Sequence, residues 1–207
     1  MNDGYREVLN SIASSEPTPG GGSVAALCLA HAHSLAAMVA RLTVASDKWS
    51  DGHAIASTVI AQSDEAIRNS LALADRDADA FDSVMAAYRI PKDDASRQSR
   101  AQAIREATIG AARVPLETLV SSPELIVQLL ELSRVCNKNA LTDLASSAEL
   151  AHTAARMAEM NVRVNTDYLE GDDVNEIEHS ANDAMGQCNA TLEDVRGSFR
   201  SRLGWGA

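Results

Sequence analysis

The feature that most constrains the fold is a proline- and glycine-rich turn followed directly by a long alanine-rich stretch. The turn occupies residues 17–23 and reads PTPGGGS, and the stretch runs from Val24 to Leu42. Proline disfavours a helix up to Pro19, glycine permits positive φ and close approach of a ligand, and Ser23 can cap the helix that follows. Backbone amides at such a helix start attract anions, so a carboxylate or phosphate could bind there. A plain turn between two helices accounts for the same residues equally well.

Composition predicts one all-α domain. The chain has 207 residues, of which 45% are hydrophobic, enough to bury one substantial core. Aromatic residues make up only 3%, and abundant alanine favours closely packed helices over strands. We therefore expect residues 1–207 to form a single-domain antiparallel bundle of six to seven helices.

Charge and cysteine content argue against several classes of protein. The formal net charge is −11, and no basic cluster suggests nucleic-acid binding. Three cysteines far apart suggest neither disulfides nor a zinc site, so we expect reduced thiols in helix packing. No signal-peptide pattern opens the chain, and we expect no uncharged stretch long enough to span a membrane. We expect a cytoplasmic protein without a nucleic-acid or membrane partner.

Local signals predict the helix boundaries. Ile90 precedes Pro91 and should end a helix, because the residue before proline avoids helical geometry. Ser122, Pro123 and Glu124 together predict a helix start, with a capping side chain, proline in the first turn and an acid near the positive helix end. The predicted helices cover about 3–14, 23–46, 51–89, 94–113 with a possible extension past residue 115, 123–136, 142–168 and 174–203.

Helical position separates Asp77 from the neighbouring carboxylates. Asp75, Asp79 and Asp82 share one stripe of the predicted helix and should be solvated. Asp77 should point inward, because it falls on the apolar stripe of Leu73, Phe81, Val84 and Tyr88. A carboxylate among apolar neighbours has a raised pKa unless a donor or cation meets it. Asp77 is therefore either a general acid/base or half of a buried pair.

A second polar group surrounds a predicted helix start at residues 137–143. From Asp143 a narrow stripe of small and amide side chains continues along the helix through Ser147, Ala154, Asn161 and Asn165. Amides at the edge of a core suit a planar, heteroatom-rich ligand. Helix capping competes with this interpretation for Asn137 and Thr142, whereas Asn161 and Asn165 favour a binding role.

Histidines do not predict a metal site. His31 and His33 are two residues apart on a helix, so their side chains diverge, and the other three histidines are isolated. His31 shares an apolar stripe and is expected to be a hydrogen-bonded core residue. Lys48 and Trp49 could bring a cation and a ring to a cleft, although a solvated loop lysine is the default.

The alanine-rich helix carries one larger apolar seam. Its alanines leave other faces open to close neighbours, so the helix should be central or interfacial. The seam consists of Val24, Cys28, His31, Leu35, Met38 and Leu42.

Taken together, these motifs resemble the cyclodeaminase/cyclohydrolase family. The segments that carry the resemblance are the glycine turn with its helix and residues 42–49, 77–92, 137–143 and 161–165. That family comprises the cyclodeaminase domain of formiminotransferase-cyclodeaminase and stand-alone methenyltetrahydrofolate cyclohydrolases. The resemblance implies a helical bundle that typically forms a homodimer and takes a tetrahydrofolate substrate. No metal and no cofactor beyond the folate itself is expected.

The resemblance also implies roles for individual residues. We hypothesise that Asp77 performs the proton transfers, and that Asp143 stabilises the cationic one-carbon unit or orients water. The residues expected to bind the folate are Gly20, Gly21, Gly22, Ser23, Lys48, Asn139, Asn161 and Asn165.

Three functions are open from the sequence. Because these residues include no formiminotransferase domain, we favour hydrolysis of 5,10-methenyltetrahydrofolate to 10-formyltetrahydrofolate. A cyclodeaminase that releases ammonia from formiminotetrahydrofolate is the alternative. An interaction protein of a different class, helical and without catalysis, would need neither Asp77 nor folate.

Overall fold

Six α-helices form an all-helical bundle in the computed structural model, which describes residues 3–205 and contains no strand among them. Two short 3-10 helices, Asp47–Gly52 and Lys138–Ala140, precede α3 and α5. The prediction of an all-α bundle with six to seven helices is thus confirmed. The helices are α1 (Asp3–Ile12), α2 (Gly21–Val44), α3 (His53–Tyr88), α4 (Arg97–Val135), α5 (Leu141–Thr166) and α6 (Asp172–Leu203).

Helix α2 lies at the centre of the bundle and packs against α3, α4 and α5. Its inner face is built from alanines that are fully buried, among them Ala25, Ala32 and Ala36. Small side chains let neighbouring helices approach closely, and leucines from α4 and α5 fill the remaining space. The buried Ser147 hydroxyl of α5 donates to the Ala32 carbonyl at 2.7 Å, which fixes α5 against α2.

The expectation about membrane-spanning stretches is wrong for α2. This helix is long and apolar enough to cross a membrane, and no other helix among residues 3–205 is. The core helix of a helical bundle meets the same criteria, and here the alanine face of α2 is covered by α3 and α5.

Helix α4 corrects the predicted boundary at Pro123. It runs without interruption through Pro115 and Pro123, so residues 122–124 do not start a helix. Pro123 is buried inside the bundle, and the Ser122 hydroxyl donates back to the Thr118 carbonyl at 2.9 Å rather than capping. Tertiary packing therefore outweighs the loss of one backbone hydrogen bond at each proline.

The boundary signal at Pro91 holds. Helix α3 ends at Tyr88, just before Ile90 and Pro91, as predicted.

All three cysteines are free thiols, Cys136 and Cys188 buried and Cys28 half-buried, which confirms their expected place in helix packing.

Candidate functional site

The first turn of α2 packs directly on Asp77 of α3. The Ser23 hydroxyl donates to Oδ2 of Asp77 at 3.0 Å. A Cβ atom added at Gly22 would lie 2.6 Å from that same oxygen, closer than real side chains approach. A Cβ added at Gly21 would lie 3.3 Å from Nδ2 of Asn161 on α5. Glycine at these two positions therefore lets side chains from α3 and α5 reach the start of α2.

The local geometry of the glycine turn differs from expectation. Gly20 has φ −108° and ψ −157°, and among residues 3–205 only Gly171 and Gly204 have positive φ. The helix begins at Gly21, so Ser23 lies inside it and does not cap it. The physical reason is that the Ser23 hydroxyl is engaged by Asp77, whose carboxylate is itself the anion at this helix start.

Asp77 is half-buried, and burial raises the pKa of its carboxyl while hydrogen bonding from Ser23 opposes that rise. No lysine, arginine or histidine among residues 3–205 forms an ion pair with it. If Asp77 is half of a buried pair, its partner is therefore the Ser23 hydroxyl and not a cation. The apolar stripe around Asp77 is only partly covered, since Leu73 is buried but Tyr88 is 53% exposed.

Asn161 and Asn165 lie at the same end of the bundle and use their amide hydrogens internally. Asn161 Nδ2 donates to the Met157 carbonyl at 2.8 Å, and Asn165 Nδ2 donates to the carbonyls of Asn161 at 2.8 Å and Ala111 at 3.2 Å. Their side-chain oxygens accept no hydrogen bond from any residue that the structure describes. These oxygens remain available as acceptors for a ligand.

The contact between Asn165 and Ala111 has a clear cause. Ala111 lies four residues before Pro115, whose nitrogen has no hydrogen to donate to that carbonyl. Asn165 supplies the missing donor. Nothing in the sequence pattern links a proline in one helix to an asparagine in another, so this structural role escaped prediction.

The remaining candidates gather at the opposite end of α2. Lys48 is exposed, with its ammonium 4.9 Å from the centroid of the Trp49 ring, and the guanidinium of Arg202 lies 6.0 Å from the same ring. Arg202 also donates to the carbonyls of Ser133 at 2.7 Å and Cys136 at 2.9 Å. Sequence reasoning missed Arg202, because nothing in the sequence distinguishes it from the other arginines near the end of α6.

Asn137 is a capping residue, as one interpretation proposed. Its Oδ1 accepts from the Asn139 backbone N–H at 3.0 Å, and its own N–H donates to the Thr43 hydroxyl at 3.1 Å. Asn139 is exposed, and Asp143 is half-buried in the first turn of α5. The Asp143 carboxylate accepts no hydrogen bond from the residues described, so it is free to meet a ligand.

The structure does not bring the two predicted catalytic residues together within one chain. Asp143 and Asn161 stand 18 residues apart in α5, which at 1.5 Å per residue separates them by about 27 Å. Asn161 neighbours Asp77 through Gly21 and Gly22, so Asp77 and Asp143 lie at opposite ends of the bundle.

Histidines differ in part from expectation. His31 is exposed rather than in the core, although it is hydrogen-bonded, with Nδ1 2.6 Å from the Leu27 carbonyl oxygen. Burial lowers the pKa of His33 to about 4. Over residues 3–205, no three His, Cys, Asp or Glu side chains are grouped so that they could hold a metal ion.

The chain is similar to known proteins in sequence and in fold. A family model described as formiminotransferase-cyclodeaminase matches residues 4–183. The chain is 34% identical over 170 residues to a methenyltetrahydrofolate cyclohydrolase from Methylorubrum extorquens, a match that covers 82% of each protein. It is 28% identical over 204 residues to a formimidoyltransferase-cyclodeaminase from Mus musculus, of which it spans only 38%.

A solved structure shares the fold. The crystal structure of a formiminotetrahydrofolate cyclodeaminase from Thermotoga maritima superposes with a TM-score of 0.86 and 25% sequence identity. The match covers 96% of both chains.

Proposed function

The chain belongs to the formiminotransferase-cyclodeaminase family, and on this premise we propose that it hydrolyses 5,10-methenyltetrahydrofolate to 10-formyltetrahydrofolate. Family membership confirms the resemblance that the sequence motifs carried. The proposed reaction is supported by the similarity to a relative named for it over most of both chains.

The observation that carries the proposal is the setting of Asp77. Its carboxylate is half-buried against the first turn of α2, has a raised pKa, and has a hydroxyl rather than a cation as its partner. A general acid/base works best when its pKa lies near the operating pH, and burial shifts the pKa of a carboxyl group in that direction. Gly22 leaves the carboxylate room to sit there.

The proposed reaction needs one group that first takes and then returns a proton. Ionised Asp77 removes a proton from water as its oxygen bonds to the carbon bridging N5 and N10. The resulting carbinolamine opens when its C–N5 bond breaks, and the protonated Asp77 returns its proton to N5. The hydroxyl proton of the intermediate leaves to solvent as the formyl group forms on N10. The sum consumes one water and releases one proton.

Other residues of the chain would hold the folate. The free side-chain oxygens of Asn161 and Asn165 can accept from ring N–H groups, and Asn139 offers a further exposed amide. Asp143 and Lys48 lie at the opposite end of the bundle from Asp77, so within one chain they do not reach the one-carbon unit on which Asp77 acts, and their contact with the substrate stays a proposal. No metal or additional cofactor is part of this proposal.

A cyclodeaminase activity is the second candidate, supported by the fold shared with the Thermotoga maritima enzyme. In that reaction N10 would attack the formimino carbon, and ammonia would leave from the same kind of tetrahedral carbon. The same proton transfers at Asp77 would serve it.

Two assays separate these proposals. Purified protein is mixed with 5,10-methenyltetrahydrofolate, and loss of its near-ultraviolet absorbance is followed. A parallel assay detects ammonia released from formiminotetrahydrofolate. We expect faster methenyl hydrolysis without ammonia, and a fall in kcat of about 10²- to 10⁴-fold in Asp77→Asn. Ammonia release would instead favour the cyclodeaminase, and turnover at the uncatalysed rate in both assays would contradict a folate enzyme.

We further propose that the protein is a cytoplasmic homodimer. Several large apolar side chains of α1 and α2 are exposed in a single chain, including Tyr5, Leu9, Met38 and Leu42 at 37–51%. Tyr5 and Leu9 line one apolar groove with residues of α2, and exposed apolar surface of this kind is typical of an interface.

A further inference from the structure

Ser23 uses its hydroxyl differently from most serines inside the helices. A helical serine commonly donates to the carbonyl four residues before it, and Ser63 and Ser70 do so at 2.5 and 2.8 Å. Ser23 lies in the first turn of α2, and the residue four positions earlier, Pro19, precedes the helix. The Ser23 hydroxyl donates instead to Oδ2 of Asp77 on α3, at 3.0 Å. A side chain at the start of one helix therefore holds the carboxylate of another.

This hydroxyl is buried and its hydrogen is already used. Ser23 is 1% exposed, and its hydroxyl donates to no other acceptor among the residues that the structure describes. A proton on Oδ2 of Asp77 would leave the hydroxyl hydrogen without an acceptor, and an unsatisfied buried donor is costly. Ser23 therefore favours a carboxyl group whose Oδ2 carries no proton.

The second oxygen of Asp77 has different surroundings. Oδ1 accepts no side-chain hydrogen bond from residues 3–205, and no fully buried side-chain oxygen in that range lacks a partner. Oδ1 must therefore be open to solvent. A Cβ atom added at Gly22 would meet Oδ1 more closely than any other atom, so glycine keeps the space beside this oxygen free. The protein thus binds Oδ2 and leaves Oδ1 accessible to water.

The side chains that pack on Asp77 carry no charge. Helix α2 presents Gly22 and Ser23 to it, and α5 presents Asn161 beside them. Burial raises the pKa of Asp77, and the hydroxyl and backbone N–H of Ser23 oppose that rise. Within one turn on α3, and on the stretch of α4 that packs there, the titratable side chains are all exposed: Asp75, Arg76, Asp79, Arg113 and Glu117.

We propose that Ser23 is a positioning residue that gives the two oxygens of Asp77 separate tasks. Oδ2 stays bound to the Ser23 hydroxyl throughout, while Oδ1 takes the proton from water and later returns it to N5. The hydroxyl also favours the ionised carboxylate that the first step needs. The catalytic part of this inference rests on the proposed hydrolysis, whereas the effect of Ser23 on the titration of Asp77 does not.

A direct titration of Asp77 tests the effect of Ser23 without any activity assay. Protein labelled with ¹³C in the aspartate side-chain carboxyl groups is titrated by NMR, and the Asp77 signal is identified by its loss in Asp77→Asn. Ser23→Ala should raise the midpoint of the Asp77 titration by about one pH unit, because each donor to a carboxylate lowers its pKa by about that much. Ser23→Cys keeps a weaker donor and should give a smaller shift in the same direction.

Ser63→Ala is the matched control for this titration. Ser63 is also 1% exposed, but its hydroxyl donates to the Val59 carbonyl within α3, about 21 Å from Asp77 along the helix. Its removal should leave the Asp77 midpoint unchanged. An unchanged midpoint in both Ser23 variants, or an equal shift in Ser63→Ala, would overturn the role of Ser23.

The pH dependence of methenyl hydrolysis tests the catalytic part. In Ser23→Ala the acid limb of kcat/KM should move to higher pH by the same interval as the NMR midpoint, with about a 10-fold loss below the limb. Adding Ser23→Ala to Asp77→Asn should cause no further loss, because Ser23 acts through Asp77.

A loss that is uniform across pH, or one that persists in the Asp77→Asn background, would show a merely structural role and overturn the proposal. A wild type without folate turnover would refute the proposed function instead, while the NMR titration still decides whether Ser23 controls Asp77.

Discussion

Gly22→Ala should damage both the fold and the reaction through a single contact. The added Cβ would lie 2.6 Å from Oδ2 of Asp77 and closer still to Oδ1, whereas ordinary contact begins at 3.4 Å. The carboxylate must therefore retreat by about 0.8 Å to clear Oδ2 and by more than that to clear Oδ1. A misplacement near 1 Å in a catalytic geometry costs about 10²-fold in rate, so we expect a fall of that order in kcat.

The stability change follows from two opposing effects. Forcing a methyl group into a packed site costs about 1–3 kcal/mol, while replacing glycine by alanine in a helix gains up to ~1 kcal/mol. Gly186→Ala is the matched control, because Gly186 is exposed inside α6 and a Cβ there meets nothing within 4 Å. The free energies of unfolding of the two variants should therefore differ by about 1–3 kcal/mol.

Urea unfolding and the methenyl-hydrolysis assay measure both effects. Adding Asp77→Ala removes the obstructing carboxylate, so the stability cost of Gly22→Ala should disappear in the double variant. Gly22→Ala with wild-type kcat, or with stability equal to that of Gly186→Ala, would refute the contact as the reason for glycine.

Three further predictions concern single groups. The hydrolysis rate should fall as pH decreases through the raised pKa of Asp77, since the ionised carboxylate is the base, and a pH profile of kcat/KM without that limb would contradict the assignment. Because the pKa of Asp77 is raised in the folded state, protonation of Asp77 stabilises the fold at low pH, and this contribution is lost as pH rises. The stability of Asp77→Asn relative to wild type, measured by urea unfolding, should therefore increase from about pH 4 to pH 7. Asn165→Ala leaves the Ala111 carbonyl without a donor and should cost about 1–3 kcal/mol of unfolding free energy, most of which should vanish when Pro115→Ala restores the backbone N–H; an equal cost in both backgrounds would show that Ala111 is not the cause.

Local chemistry made much of the fold predictable. Helix propensity, the three-to-four-residue period and the proline at position 91 act over a few residues, so the helices of the chain and the end of α3 follow from short segments. The same periodicity set Asp77 apart from its neighbours and placed the six seam residues on one side of α2.

Signals of the same local kind failed where packing outweighed them. Residues 122–124 look like a helix start, yet burial of Pro123 in the bundle keeps α4 continuous. His31 shares an apolar stripe, but that stripe faces outward because the alanines of α2 take the inner face.

The sequence by itself determined the helical class, the motifs that identify the family and the candidate residues, because these depend on residue type and short-range spacing. Only the tertiary structure decided which of those residues meet. Gly22 lies against Asp77, 55 positions away, and Asn165 bonds to Ala111, 54 positions away, while the length of α5 holds Asp143 apart from Asn161, which neighbours Asp77. Such contacts depend on how whole helices pack, and no short segment of the chain encodes that arrangement.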